Sequence, residues 1–318
     1  MFLDPEIVGK LIPHGEPSPE LVPEPARRLA SALVDRPNQR RSYLWASALL
    51  NAGFQSAIPV PSRFVHASAG FVSLPNFPLP PVLQHFSAGI GFGVYILAER
   101  GEGQPAVQIL SLGDQSFPVV TSFGEVALHG CPPHPVNAAS TCWVRNLAAS
   151  PSWTHGILTC RHAVRTLPMG TSVSLSSSVD HALPGSSTLA DRDGCTIDAA
   201  VLEIDPSDWP SGLTRLSVAR PSAPGQFVQF RDRSGTAHAG SILRVFNYNT
   251  YIGNLFGQRV IADCHAVAGD SGSFLSDTTT GDAVGIYMGT IPDGAGGYDG
   301  IFQDLAQVES FFELEVHY

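Results

Sequence analysis

The sequence is short of charge, of paired cysteines and of long apolar runs. Only 14% of its 318 residues are charged, against 43% hydrophobic, and the formal net charge is −10. That balance excludes a chain disordered throughout, and it removes any general attraction to nucleic acid or an anionic membrane surface. No segment is long and apolar enough to span a bilayer, since the most apolar stretch, around Ala88 to Ala98, is short and broken by glycines. The opening residues Met1 to Glu6 carry neither a basic leader nor an apolar run, so no secretory signal is expected. Five cysteines, Cys131, Cys142, Cys160, Cys195 and Cys264, are odd in number and form no CxxC pair, and no HExxH occurs among the 11 histidines. Neither a disulfide framework nor a metal centre is indicated. We therefore expect a cytoplasmic protein with buried thiols, no cofactor, no metal, and no nucleic-acid or membrane partner.

Glycine and proline are plentiful, 31 and 26 residues, as in turn-rich all-β folds. Residues 1 to about 23 are rich in proline and acidic groups and read as irregular. From Glu24, Ala26, Leu29, Ala30 and Leu33 recur at helical spacing, and a second helix is expected from about Asn38 to Ala52 with Tyr43, Ala46 and Leu50 on one face. Six prolines between Pro59 and Pro81 assign residues 57 to 86 to an extended or irregular connector. Strand-like runs follow at Gly93 to Ala98, Ala106 to Leu112 and Phe117 to Thr121. After about Gly124 the chain becomes a succession of short β-type segments, which argues for a sandwich or barrel. Leu305, Val308 and Phe312 return to helical spacing, so a C-terminal helix is expected. The division that follows is an N-terminal extension over 1–90, a short β annex or linker over 91–123, and a main domain over 124–318.

Three motifs in the main domain carry chemistry. Gly269-Asp270-Ser271-Gly272-Ser273 holds a serine between glycines, where a tight turn can aim the Gly269 and Ser271 N–H groups at a developing oxyanion. A serine hydroxyl is a weak nucleophile alone and needs a base. Gly156 to His162 is an apolar strand ending at a histidine, which fixes an imidazole on a rigid element beside a cleft. Asp198 directly precedes the apolar run Ala199 to Ile204, whereas its rivals Asp191 and Asp193 precede no such run. A carboxylate there can orient the imidazole and stabilise its charged form.

ILTCRHAV, IDAAVL and GDSGS, in that order, resemble the histidine, aspartate and serine motifs of the chymotrypsin-like (trypsin-fold) serine peptidases, closest in compactness to the bacterial members. Pro224 to Val228 with Gly240 to Ile242 looks like the opening hairpin of that family's second barrel, and Val284 to Gly289 like the strand that pairs with substrate backbone. The resemblance covers about residues 124 to 318. It implies an all-β fold of two antiparallel β-barrels with a C-terminal helix, to which a mainly helical or irregular N-terminal extension is added. It further implies a serine endopeptidase acting through His162, Asp198 and Ser271 and an acyl-enzyme, with Gly269 and Ser271 as oxyanion donors. His265, Ala266, Tyr287, Met288 and Gly289 are the implied substrate-binding positions. The implied partner is a protein or peptide substrate, with residues 1–90 available to a regulatory or docking protein. The family's disulfide beside the histidine is missing, and Asp270 has no processed N-terminus to pair with. The alternative reading is a catalytically silent protein-binding module on the same fold.

Overall fold

In the computed structural model the described residues are 15–31 apart from 23, then 37, 40–41, 44–45, 47–48, 64–73, 90–98, 106–112, 115–124, 127–128, 142–174, 186–192, 197–218, 224–246 apart from 233, 259–264 and 269–318. Helix α1 spans Glu24–Ser31, and strands β1 Phe64–Ser73, β2 Ile90–Ala98, β3 Ala106–Leu112, β4 Gln115–Phe123 and β5 Ala127–Leu128 follow. Next come β6 Cys142–Asn146, β7 His155–Thr159, the short helix α2 Arg161–Val164, β8 Ser172–Ser174, β9 Ser186–Arg192 and β10 Ala200–Glu203. The remainder is β11 Phe227–Arg231, β12 Ala237–Phe246, β13 Arg259–Ala262, β14 Phe274–Asp277, β15 Ala283–Pro292, β16 Tyr298–Asp304, helix α3 Leu305–Phe312 and β17 Leu314–His317.

Six of these strands close on themselves. The order β11-β14-β15-β16-β13-β12 returns to β11 through the β11–β12 hairpin, in which Phe227 faces Ser241 and Arg231 faces Ala237. Every pair in this ring is antiparallel. The other barrel has the order β17-β6-β7-β10-β9-β8. This is the two-barrel, all-β architecture expected above.

Alternation along the strands explains why the pieces stack. In the first barrel Trp143, Ile157, Ala200 and Leu202 point into one cluster, while Cys142, Val144, Leu158 and Val201 join another. Successive side chains of a strand face opposite sides, so one face fills the barrel and the other meets the second barrel. The second barrel behaves likewise: Val260, Tyr287 and Phe302 face inward, and Ile261, Ile286, Met288 and Ile301 face the seam. Strands buried on both faces read as continuous apolar runs, which is why β13 and most of β15 show no polar alternation.

One feature departs from the sequence expectation and another adds to it. The prolines assign residues 57 to 86 to a connector, yet β1 occupies Phe64–Ser73. The prolines bracket this segment without entering it, and a proline-free run of ten residues is free to pair. It does so with β2 along its whole length and touches β12 at Gly70 opposite Arg244, so β1, β2, β4 and β3 extend the sheet of the second barrel. The chain also does not end on its helix. Leu305, Val308 and Phe312 are buried on α3 as their spacing requires. Glu313 then adopts a left-handed conformation, φ 50°, and β17 returns to pair with β6 from Leu314 opposite Asn146 to His317 opposite Trp143. The last strand of the sequence therefore completes the first barrel.

At the N-terminus, Ala26 and Ala30 of α1 are buried against the interior cluster of the second barrel, together with Leu44 and Ala48. The described residues between 37 and 48 are helical. Leu29 lies on α1 as its spacing predicts, whereas Leu33, Tyr43, Ala46 and Leu50, also expected on helix faces, lie outside the described residues. Among the described residues no helix is long and apolar enough to cross a membrane.

Candidate active site

The apolar strand β7 stops at Cys160, which caps α2 in an extended conformation and places His162 on that helix's single turn. Asp198 stands two residues before β10, the neighbour of β7 in the first barrel. Pairing of those two strands brings their ends together. One Asp198 carboxylate oxygen accepts the His162 backbone N–H at 2.8 Å and the other lies 2.5 Å from His162 Nδ1. The ring is held by the same group that holds its backbone, so its orientation is set twice.

Ser271 comes from the second barrel, in the turn that enters β14. Gly269 and Gly272 on either side have φ of 100° and 97°, the left-handed region where a side chain would be strained. This turn is sewn to β15: Gly272 N–H donates to the Tyr287 carbonyl and Tyr287 N–H to the Ser273 carbonyl, both at 2.8 Å. Ser273 N–H closes the turn on the Asp270 carbonyl at 2.9 Å, and Asp270 is itself buried. Ser271 Oγ then sits 3.1 Å from His162 Nε2 and 3.3 Å from the Met288 carbonyl. His162, Asp198 and Ser271 thus form one hydrogen-bonded line across the seam between the barrels.

The line is dry. Asp198 and Ser271 are fully buried and His162 is 6% exposed. Burial pushes the Asp198 carboxyl up, but the His162 charge, two hydrogen bonds from His162 and the Arg259 guanidinium outweigh it and hold the carboxyl below its ordinary value. An ionised carboxylate beside Nδ1 favours the tautomer that leaves Nε2 free to accept a proton from Ser271.

Gln303 was not singled out by the sequence. On β16 of the second barrel, its side-chain oxygen accepts the Asp198 backbone N–H at 2.9 Å while its amide donates to Gln307 Oε1 at 3.0 Å. It ties the aspartate of one barrel to the wall of the other. A glutamine directly after the apolar run Gly300 to Phe302 was the available signal, since a fully buried amide needs partners. Cys160 is the second addition. Its thiol lies near His162 and Asp198, and the three possible ligand atoms fall within 4.8 Å of one another. Each of those atoms already has a hydrogen-bond partner: Cys160 Sγ donates to the Tyr287 carbonyl at 3.0 Å, and the other two bond each other. Burial first, then the Asp198 charge, pushes the thiol well above its usual pKa, which disfavours the thiolate a metal would require.

The substrate-binding positions fare differently. His265 and Ala266 lie outside the described residues. Tyr287 does not line an open pocket: its ring is stacked on Phe230 at 5.5 Å and edge-on to Phe302 at 5.3 Å inside the second barrel. Strand alternation turns its side chain inward and leaves its carbonyl to the site. Met288 is likewise buried at the seam and contributes its carbonyl. Gly289 is paired to Leu128 of β5.

No family model and no curated protein matches the chain by sequence. Solved structures do resemble it. A Nocardiopsis protease (NAPase) is 16% identical, covering 56% of this chain and 92% of its own, with a TM-score of 0.42. Thermobifida fusca Protease A is 20% identical, covering 69% and 98%, with a TM-score of 0.39. Cellulomonas bogoriensis chymotrypsin is 18% identical, covering 50% and 84%, with a TM-score of 0.37. The fold is defined by the strand order and barrel closure described above, not by these likenesses.

Proposed function

We propose, from the two-barrel fold as premise, that this chain is a serine endopeptidase. The observation that carries the reading is the continuous line Asp198–His162–Ser271, with contacts of 2.5 and 3.1 Å at the two imidazole nitrogens. In the proposed reaction the Ser271 hydroxyl attacks a peptide carbonyl while His162 Nε2 takes its proton. Asp198, already ionised, stabilises the imidazolium that results. The backbone N–H groups of Gly269 and Ser271, on the positive-φ turn, receive the charge that develops on the carbonyl oxygen. His162 returns the proton to the leaving amine, and water then hydrolyses the acyl-enzyme by the same steps in reverse. No cofactor or metal takes part in this scheme. The buried free thiols of Cys142, Cys160 and Cys264 support a reducing, cytoplasmic setting.

A fluorophosphonate probe tests this directly. The full-length protein is expected to take up one probe and to cleave members of a broad peptide library, and Ser271→Ala to do neither. A protein that neither labels nor cleaves overturns the reading. The full burial of Ser271 favours a second one, a silent protein-binding module on the same fold. Recovery of an intact protein partner with no labelling at any stage would establish it.

A further inference from the structure

Strand β15 has one edge that is only half used. On one side β16 covers it from Gly285 to Pro292, but on the other side β14 reaches no further than Ile286, which faces Phe274. Tyr287 is bonded on this side to the turn of Ser271, and beyond it the edge runs directly past Ser271, whose Oγ lies 3.3 Å from the Met288 carbonyl. An open edge beside a nucleophile is where an extended peptide adds as a further strand, since backbone pairing is indifferent to side chains. In this chain the edge is taken. β5 pairs with it antiparallel, Leu128 opposite Gly289 and Ala127 opposite Thr290.

Direction and register add to this. Antiparallel pairing makes β5 run from Thr290 toward Met288, so the chain approaches Ser271 with its carbonyl end leading. That is the polarity of the acyl half of a peptide, and Leu128 stands one register step short of the Met288 contact. Full burial of Ser271 fits a site already covered. We infer that Ala127–Leu128 occupies in cis the edge of β15 that receives a peptide substrate, so that the chain carries its own competitive occupant. The inference rests on the peptidase reading for its consequence, but the occupation itself is independent of catalysis. An external peptide must then displace β5 before it can reach Ser271.

The double variant Ala127→Pro/Leu128→Pro removes both backbone donors of β5 and tests the idea in the full-length chain. Losing a backbone hydrogen bond's net contribution is expected to raise fluorophosphonate labelling and kcat/KM for a peptide by about fivefold, through a lower KM. Amide hydrogen exchange by NMR, in Ser271→Ala with and without the β5 substitutions, provides the second readout. Whichever of the adjacent Gly289 and Thr290 N–H groups faces β5 should lose protection in the β5 variant, while the other, facing β16, and those of Val260, Ile261 and Phe302 keep theirs, which also establishes that the barrel remains folded. Unchanged protection at Gly289 and Thr290, or labelling that is no faster in an enzyme that does label, overturns the self-occupation. If no form labels but the exchange pattern changes as stated, the peptidase reading fails and the self-occupation stands.

Discussion

Asp299 offers a test in which burial and ion pairing oppose each other. It lies on β16, 4% exposed, and its Oδ2 is 2.7 Å from Nη2 of the fully buried Arg244 on β12. That guanidinium in turn covers the ring of Tyr95 on β2, 4.4 Å from the centroid, and the Tyr95 hydroxyl donates to the Pro292 carbonyl at the end of β15. The cluster pins the N-terminal strands to the second barrel. Burial pushes the Asp299 carboxyl up, Arg244 pulls it down by charge and hydrogen bond, and Asp293 and Asp263 push it up again. The net result is an increase from 3.8 to about 6. A difference of that size corresponds to about 3 kcal/mol. Because the folded state binds the proton more tightly, this contribution to stability is fully present below pH 4 and is lost as pH rises through about 6. Asp299→Asn mimics the protonated form at every pH. Its stability relative to the parent should therefore shift in the variant's favour by about 3 kcal/mol between pH 4 and pH 7. Urea unfolding of both proteins across that range, followed by tryptophan fluorescence, measures the shift. A difference that moves the other way would mean that Arg244 outweighs burial and would refute the reasoning.

Four further outcomes follow from the site and the barrels. Asp198→Asn should lower the rate of fluorophosphonate labelling by about 10⁴-fold while leaving the fold intact, because the wrong tautomer then faces Ser271; circular dichroism checks the fold. The same carboxyl, held below its ordinary value, should add stability above pH 4 that is lost on acidification, and the variant should lack this loss. Gln303→Leu leaves the buried Asp198 N–H without its acceptor and should cost about 1–3 kcal/mol in chemical denaturation, with slower labelling as His162 loses its fixed support. Gly300→Ala should cost about 1–3 kcal/mol, because a Cβ there would stand 2.0 Å from the Cys264 carbonyl, a backbone atom that cannot swing away; a thermal midpoint unchanged from the parent would contradict the packing.

What the sequence determined by itself is local. A histidine closing an apolar strand, an aspartate opening another and a serine between glycines are each visible within a few residues, because strand ends and positive-φ turns depend on neighbouring side chains. The helical spacing of Leu305, Val308 and Phe312 is legible for the same reason, and all three are buried on α3. Tertiary structure decided which strand edges meet. Proline counting over residues 57 to 86 hid β1, since prolines that flank a strand look from composition like prolines within it. Nothing near Leu314 announces that β17 will pair with β6, and nothing near Ala127 that β5 will lie along β15. Those pairings join segments more than 150 residues apart, and backbone hydrogen bonding carries no side-chain signature by which either partner could be found. Gln303 reaches Asp198 only because the two barrels are packed against each other. The candidate chemistry is therefore written in three short motifs, while which strand lies along β15 is decided by backbone pairing that only the folded chain brings together.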